Sequence, residues 1–269
     1  AQGYRVSRLG VEGSGRIRVA EAVAALRDDT ALVTLMHSNN ETGVLQPVAE
    51  VAHHARARGV LVHTDAAQSL GKVPVDVEAL GVDLLSVAGH KLYAPKGVGA
   101  LYVRRGTSLT PLLRGAEQEG GLRPGTENVA AIVGLGAACA RVGRDLEAAA
   151  ARMQALRDEL WRLLVARVPG LQLNGAATER LPNTLNVRFP RVSGTALLAE
   201  TPDVAASTGS ACHSGHETAS AVLLAMGVPA GEALGSVRLT LGRTSTAEEL
   251  RRAADALAAA WARLCPPPG

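Results

Sequence analysis

The chain has 269 residues and a net charge of +3; hydrophobic residues make up 47% of it and aromatic residues only 2%. A chain of this length buries roughly three quarters of its unfolded surface, enough for one large core or two domains. Ala, Leu and Val must fill that core. The small net charge, with Arg scattered along helix-forming stretches, argues against nucleic-acid binding, and the lack of a long apolar run argues against a membrane protein.

The three cysteines are too few and too dispersed for a disulfide framework or a zinc site. Cys139 falls in an Ala/Gly-rich helical stretch, where we expect it to be packed, and Cys265 lies at the tail. Cys212 differs, because the residues around it are polar and small. We expect a reduced, cytoplasmic protein without a bound metal.

The first part of the chain alternates between strand and helix patterns. Apolar runs predict strands over residues 3–9, 31–36, 60–64, 84–87 and 97–104, and amphipathic spacing predicts helices over residues 20–26 and 48–58. This alternation indicates a parallel sheet with helices on its faces, the α/β class.

The second part of the chain begins with a long helical pattern over residues 128–165, with Gly143 as a weak point. We place a domain boundary near residue 146, which predicts a large α/β domain over 1–146 and a small α+β domain over 147–269. In the small domain the patterns predict strands over 185–189, 204–207 and 237–241, and helices over 194–200, 220–226 and 247–264.

Two of the predicted strands end in residues that suggest chemistry. Asp65 closes the run 60–64, and Lys91 lies in the Gly/Pro-rich loop after the strand 84–87. Ligands of α/β proteins bind at the carboxyl ends of parallel strands. Pyridoxal phosphate needs a lysine for its imine and an acid opposite its ring nitrogen, so the pair suits this cofactor. Taken singly, Lys91 also fits a solvated surface charge, and Asp65 a turn former or helix cap.

Three segments resemble the NifS-like cysteine desulfurases and the related selenocysteine lyases, which are fold-type-I pyridoxal phosphate enzymes of the class-V aminotransferase family. They are NNETG at 39–43, HTDAAQS through GHK at 63–91, and STGSACHSG at 207–215. The resemblance implies a mainly parallel sheet flanked by helices, followed by a small α+β domain. It places the chain in the family's C-terminal portion, so we expect the large domain to be incomplete at its N-terminus.

The resemblance implies a set of cofactor contacts. Lys91 is expected to form the imine with pyridoxal 5′-phosphate, and Asp65 to pair with the ring nitrogen. Gln68 and Asn40 correspond to contacts near the ring hydroxyl, and His90 corresponds to a phosphate contact. The family's ring-stacking His and the Thr of its main phosphate cup belong to the N-terminal part that this chain lacks.

The same resemblance assigns the substrate and the partners. Arg238, together with Asn40, is expected to hold the α-carboxylate of the substrate, and Cys212 to attack its sulfur and carry a persulfide to an acceptor protein. Thr126 corresponds to a hydroxyl that a partner subunit lends to the phosphate, which implies a homodimer with shared active sites.

Two positions depart from the family pattern. Ala88 stands where many members have a phosphate-binding Ser, three positions before the lysine, and Ala116-Glu117 stand where glycines are usual. The implied function is conversion of L-cysteine to L-alanine for iron–sulfur cluster or thiocofactor biosynthesis. A selenocysteine lyase acting on L-selenocysteine is the alternative in chemistry, and a truncated non-catalytic fragment or binding subunit is the alternative of another class.

Overall fold

The structure is a computed structural model that describes residues 3–209 and 217–265. It consists of two compact units. The parallel-sheet unit comprises Leu26–His37 and Val48–Leu146, and the antiparallel-sheet unit comprises Ala1–Ala25, Ser38–Pro47 and Glu147–Gly269. Residues 1–25 and 38–47 thus group with the C-terminal part of the chain. The division of the whole protein into domains 1–146 and 147–269 stays a prediction.

The parallel-sheet unit has a four-stranded sheet in the order β1-β2-β3-β4. The first three strands are parallel, and the fourth runs antiparallel to β3. The mainly parallel sheet with flanking helices confirms the predicted α/β class. The strands are β1 (Leu32–Met36), β2 (Leu61–Asp65), β3 (Leu84–Ala88) and β4 (Gly99–Val103). The helices are α2 (Val48–Arg56), α3 (Val77–Leu80), two 3₁₀ helices (Gly89–Leu92 and Gln118–Gly121) and the first half of α4 (Val129–Arg167).

Side-chain alternation explains how this sheet is covered. In β2, Val62 and Thr64 are fully buried, whereas the side chains of Leu61, His63 and Asp65 point to the other face. Helix α2 buries its small and branched residues, and these pack with Val62, Val82 and Leu85 into one core. Asp76 caps the start of α3 by accepting hydrogen bonds from two backbone amides, so this short helix begins at a defined residue.

The antiparallel-sheet unit has a three-stranded sheet in the order β5-β6-β7. Its core is formed by Phe189, Leu164, Leu197 and Leu257 with their neighbours. Thr246 and Glu249 form a capping box that starts α8 (Ala247–Leu264), which has the predicted bounds. The strands are β5 (Gln172–Leu173), β6 (Thr184–Arg188) and β7 (Ser236–Thr240). The helices are α1 (Val19–Ala24), the second half of α4, α5 (Gly194–Ala199), α6 (Ala221–Ala225), α7 (Ala230–Ala233) and α8 (Ala247–Leu264).

Several sequence-based expectations about the elements are wrong. Residues 3–9 form no strand in the described structure, and Tyr4 and Val6 are 72% and 76% exposed. In place of a strand over 204–207 there is a single bridge between Ser207 and Arg238. Cys139 is exposed rather than packed. Helix α4 continues through Gly143 without a break. Within the described ranges, no helix combines the length and apolarity that a membrane span requires.

Candidate active site

Lys91 lies in the 3₁₀ helix that directly follows β3. The amide of Gly89 donates a hydrogen bond to the carbonyl oxygen of Val98 (3.0 Å), and the amide of Ala94 donates one to the carbonyl oxygen of Gly89 (3.1 Å). The backbone on both sides of Lys91 is therefore held in place, while Lys91 itself is exposed. A fixed turn that presents an exposed amine suits a lysine that bonds covalently to a ligand.

Asp65 is the last residue of β2 and is paired in register with Ser86 of β3. Its Oδ1 accepts a hydrogen bond from the amide of Ala67 (2.8 Å), and Gln68, in the same turn, is half-buried. Because β2 and β3 are parallel, Asp65 and the Lys91 turn both follow the carboxyl ends of neighbouring strands. The structure thus brings Asp65, Gln68 and Lys91 to the same edge of the parallel sheet.

The face of the sheet that carries Asp65 also carries a line of three polar side chains. Oγ1 of Thr34 lies 2.7 Å from Nδ1 of His63, and Nε2 of His63 lies 2.9 Å from Oγ of Ser86. Burial lowers the pKa of His63, and the nearby charge of Asp65 opposes this shift. A neutral imidazole between two hydroxyls donates one hydrogen bond and accepts one, so it ties three strands together behind Asp65.

His90 and Thr126 are both exposed residues of the parallel-sheet unit. His90 precedes Lys91 in its turn, and Thr126 lies in the loop between the second 3₁₀ helix and α4. In that loop the amide of Gly125 donates to Oε1 of Gln118 (3.0 Å). Their phosphate contacts stay predictions.

The side chains at this sheet edge fit pyridoxal phosphate. The cofactor needs a lysine amine and an acid for its ring nitrogen, and the exposed residues Lys91 and Asp65 offer both. Ala88 ends β3, where it is paired with Gly99, and its methyl group offers no hydrogen-bond donor. The fit therefore lacks one donor relative to the family pattern.

A second group of predicted residues lies in the antiparallel-sheet unit. Arg238 of β7 is half-buried, and its Nη1 donates a hydrogen bond to the carbonyl oxygen of Asn40 (2.9 Å). Arg238 and Thr240 line a pocket together with residues 205–207. The structure thus brings together the two residues predicted to bind the substrate carboxylate.

Glu41 follows Asn40, and its carboxylate oxygen Oε2 accepts a hydrogen bond from Oγ of Ser220 (2.5 Å). The backbone carbonyl oxygen of Glu41 accepts a hydrogen bond from Nδ2 of Asn186 (3.0 Å). The NNETG segment is thereby fastened to β6 and to the start of α6. Cys212, the predicted persulfide carrier, lies outside the described residues. Its role stays a prediction.

Comparison with known proteins decides the family. The model of the family described as Aminotransferase class-V matches residues 1–253. The chain belongs to the class-V aminotransferase family. Pyridoxal phosphate is the cofactor of this class-V group, in agreement with the lysine and acid at the sheet edge.

Two class-V relatives with curated names are similar to this chain. It is 50% identical over 253 residues to the cysteine desulfurase IscS of Anaeromyxobacter dehalogenans, which covers 93% of this chain and 62% of the relative. It is 46% identical over 254 residues to the cysteine desulfurase NifS of Azotobacter vinelandii, which covers 94% of this chain and 63% of the relative. The chain therefore spans less than two thirds of the length of these relatives.

A solved structure named NIFS-LIKE PROTEIN has the same class-V fold. It superimposes with a TM-score of 0.86 at 35% identity, over 96% of this chain and 68% of that one.

His63 and Lys72 have no role predicted from the sequence, although both belong to the motif-bearing segment over residues 63–91. The alternation of β2 placed His63 on the face of Asp65, a signal that was available before the structure.

Proposed function

We propose that this protein is a pyridoxal-phosphate-dependent cysteine desulfurase that converts L-cysteine to L-alanine and carries the sulfur as a persulfide on Cys212. The observation that carries the proposal is that Asp65 ends one strand and Lys91 follows the neighbouring parallel strand in a class-V chain. The names of the two curated relatives support the same reaction.

Each described site residue has a proposed task. Lys91 bonds to the cofactor and, once freed by the substrate, moves a proton as a general acid–base. Asp65 keeps the ring nitrogen protonated, while Gln68, Asn40 and His90 hold the cofactor. When bound, pyridoxal phosphate supplies an electron sink that weakens bonds at the substrate's α-carbon.

Arg238 and Cys212 act on the substrate. The guanidinium of Arg238, positioned by its bond to Asn40, binds the α-carboxylate. The thiolate of Cys212 then attacks the sulfur of L-cysteine, so that a sulfur–sulfur bond forms and the bond between this sulfur and Cβ breaks. Cβ keeps the bonding electron pair and takes up a proton. The products are L-alanine and a persulfide on Cys212, and the sulfur passes to an acceptor protein.

The family resemblance also supports an oligomeric state, a cellular location and a use for the transferred sulfur. We propose a cytoplasmic homodimer in which Thr126 of one subunit completes the phosphate site of its partner. The persulfide sulfur serves iron–sulfur cluster or thiocofactor biosynthesis.

The test of the Lys91 assignment exploits the lysine content, because the sequence has only three lysines, at positions 72, 91 and 96. The purified chain is incubated with pyridoxal phosphate and reduced with borohydride, and the modified peptide is identified by mass spectrometry. We expect the label on Lys91 and no label in Lys91→Ala. Labelling of Lys72 or Lys96 instead would remove Lys91 from this role.

The reaction itself is tested with L-cysteine. We expect L-alanine in equal amount to the sulfide released under reductant. Cys212→Ser should retain the Lys91 label but lose sulfide release, whereas Cys139→Ser, at an exposed position on α4, should keep both. Full turnover by Cys212→Ser would argue for a selenocysteine lyase or for another thiol as the sulfur carrier.

Ala88 favours one alternative, a selenocysteine lyase, because some lyases of this kind also lack the serine at this position. Parallel assays with L-cysteine and L-selenocysteine discriminate between them: turnover of L-selenocysteine without turnover of L-cysteine would support the lyase. The second alternative is a non-catalytic fragment or binding subunit. It is supported by the length of the chain, which spans 62% and 63% of the two relatives. Absence of any borohydride-trapped label would support that alternative.

A further inference from the structure

Lys72 contacts the backbone of the predicted cofactor lysine. Its Nζ donates a hydrogen bond to the carbonyl oxygen of Lys91 over 3.1 Å. Lys72 is half-buried, whereas Lys91 is exposed. A half-buried lysine has lost part of the hydration of its ammonium, so its hydrogen bonds to protein groups are correspondingly important. No step of the proposed reaction uses Lys72.

Backbone hydrogen bonds connect Ala66, the residue after Asp65, to Lys72. The amide of Ala66 donates to the carbonyl oxygen of Ser86 on β3 (3.0 Å), and the amide of Ser69 donates to that of Ala66 (2.9 Å). The amide of Lys72 then donates to the carbonyl oxygen of Ser69 (2.9 Å). The backbone position of Lys72 is therefore set by the same turn that begins at Asp65.

The turn of Lys72 also packs against the turn of Lys91. Gly71 has a φ of +81°, and a Cβ at this position would lie 3.4 Å from Cβ of Leu92 and 3.1 Å from Cγ2 of Val142. Leu92 is the residue after Lys91 and is buried. The two turns therefore lie close together at Gly71 and Leu92, in addition to the bond from Lys72.

We propose that Lys72 is a positioning residue for Lys91, which holds its carbonyl oxygen and joins the turn that begins at Asp65 to the turn that carries the reactive amine. The inference rests on the proposed function, in which both residues must meet one cofactor. Because the ring nitrogen and the aldehyde carbon of pyridoxal phosphate are a fixed distance apart, the acid and the amine must also keep a fixed separation.

The charge of Lys72 gives this contact a pH dependence. Burial, and to a smaller extent the positive charge of Lys91, lower the pKa of Lys72 from 10.5 to about 8. Lys91 is the charged group facing it in the described part of the chain, since Leu92 and Val142, which pack against its turn, are apolar. The ammonium donates a stronger hydrogen bond than the neutral amine, so the contact weakens as the pH rises through about 8.

The test compares Lys72→Met, which keeps the aliphatic stem without the donor, with Lys72→Arg, which keeps a cationic donor. Each protein is mixed with pyridoxal phosphate, and the label on Lys91 is trapped with borohydride at successive times. We expect the rate constant of labelling at neutral pH to fall about 10-fold in Lys72→Met and to stay within about 3-fold in Lys72→Arg. Lys96 is an exposed lysine in the Gly/Pro-rich loop that also contains Lys91, and in Lys96→Met we expect Lys91 to be labelled at the wild-type rate.

Hydrogen exchange of the cofactor-free chain provides a readout that does not depend on the cofactor. The amide of Ala94, bonded to Gly89 across the Lys91 turn, should exchange about 10-fold faster in Lys72→Met.

A third readout compares only Lys72→Arg with the wild-type protein. Because Arg stays protonated, the ratio of the labelling rate constants of Lys72→Arg and wild type should rise as the pH passes through about 8.

The outcomes separate this inference from the function on which it rests. Wild-type labelling and wild-type exchange in Lys72→Met would overturn the positioning role. If Lys72→Met does not fold, a ratio of Lys72→Arg to wild type that stays flat with pH would overturn it in the same way. If wild-type protein acquires no label on Lys91, the proposed function fails, and exchange at Ala94 still decides whether Lys72 holds the turn.

Discussion

Arg238 donates a hydrogen bond from Nη1 to the carbonyl oxygen of Asn40, although the two residues are 198 positions apart in the sequence. The backbone of Arg238 is itself fixed, because its amide donates to Ser207 (2.7 Å) and its carbonyl oxygen accepts from the amide of Ser207 (3.3 Å). A guanidinium carries five donors in a planar fork. The bond to Asn40 therefore orients the fork and leaves other donors to bind a carboxylate.

This arrangement predicts a substrate-binding defect in Arg238→Lys. An ammonium cannot hold Asn40 and bind a carboxylate bidentately at the same time, so we expect KM for L-cysteine to rise about 10- to 100-fold with a smaller change in kcat. Initial rates of alanine formation measure both constants. Labelling of Lys91 by pyridoxal phosphate should be unaffected, and Arg263→Gln, at an exposed ion pair with Glu200, should keep the wild-type KM. An unchanged KM in Arg238→Lys would contradict the assignment.

Gly43, the last residue of the NNETG segment, is predicted to be intolerant of any side chain. Its φ is +78°, and a Cβ there would lie 2.9 Å from Cβ of Thr184 on β6. Gly43→Ala should therefore lower the free energy of unfolding by about 2 to 4 kcal/mol, from backbone strain and from the clash together. Urea denaturation measures this change.

Gly227 offers a matched control for this prediction. Its φ of +82° is similar, but nothing lies within 4 Å of the place where a Cβ would stand. Gly227→Ala should then lower the free energy of unfolding by only about 1 kcal/mol, from strain alone. Equal losses in the two variants would mean that the approach to Thr184 contributes nothing.

The sequence was sufficient for features that depend on local pattern. Strand β2 and the turn after it were predictable because a short apolar run ends in polar residues at Asp65, and α8 because it combines a helical period with a capping box at Thr246. The parallel sheet followed from the alternation of strands with helices, and the 26 positions between Asp65 and Lys91 leave room for one crossover between neighbouring strands. Asp65 and Lys91 could thus be placed at neighbouring strand ends before the structure was known.

The sequence was not sufficient for features that depend on which surfaces meet. Residues 3–9 have a strand-like pattern, but no strand pairs with them within the described ranges. Cys139 lies in an apolar-looking stretch, yet α4 turns Val142 inward and Cys139 outward. The contact between Lys72 and Lys91 likewise depends on how two turns pack, which no local period encodes.

Two histidines of the parallel-sheet unit predict how its stability depends on pH. Burial lowers the pKa of His37 and of His63 from the ordinary value of 6.5. Nδ1 of His37 is buried without a hydrogen-bond partner in the described residues, whereas both ring nitrogens of His63 contact hydroxyls. Below pH 6.5 the unfolded chain binds protons that the folded chain does not, so stability is full above this pH and is lost as the pH falls.

We expect the free energy of unfolding to fall by up to about 1.4 kcal/mol per pH unit for each histidine as the pH drops below 6.5. Urea denaturation between about pH 5 and pH 8 measures this slope. His63→Gln keeps an amide that can donate and accept but cannot titrate, so it should flatten the slope, and His37→Gln should flatten it further. His54→Gln, at an exposed position on α2, should leave the slope unchanged. A slope that survives in the double variant His37→Gln, His63→Gln would assign the acid sensitivity to other groups.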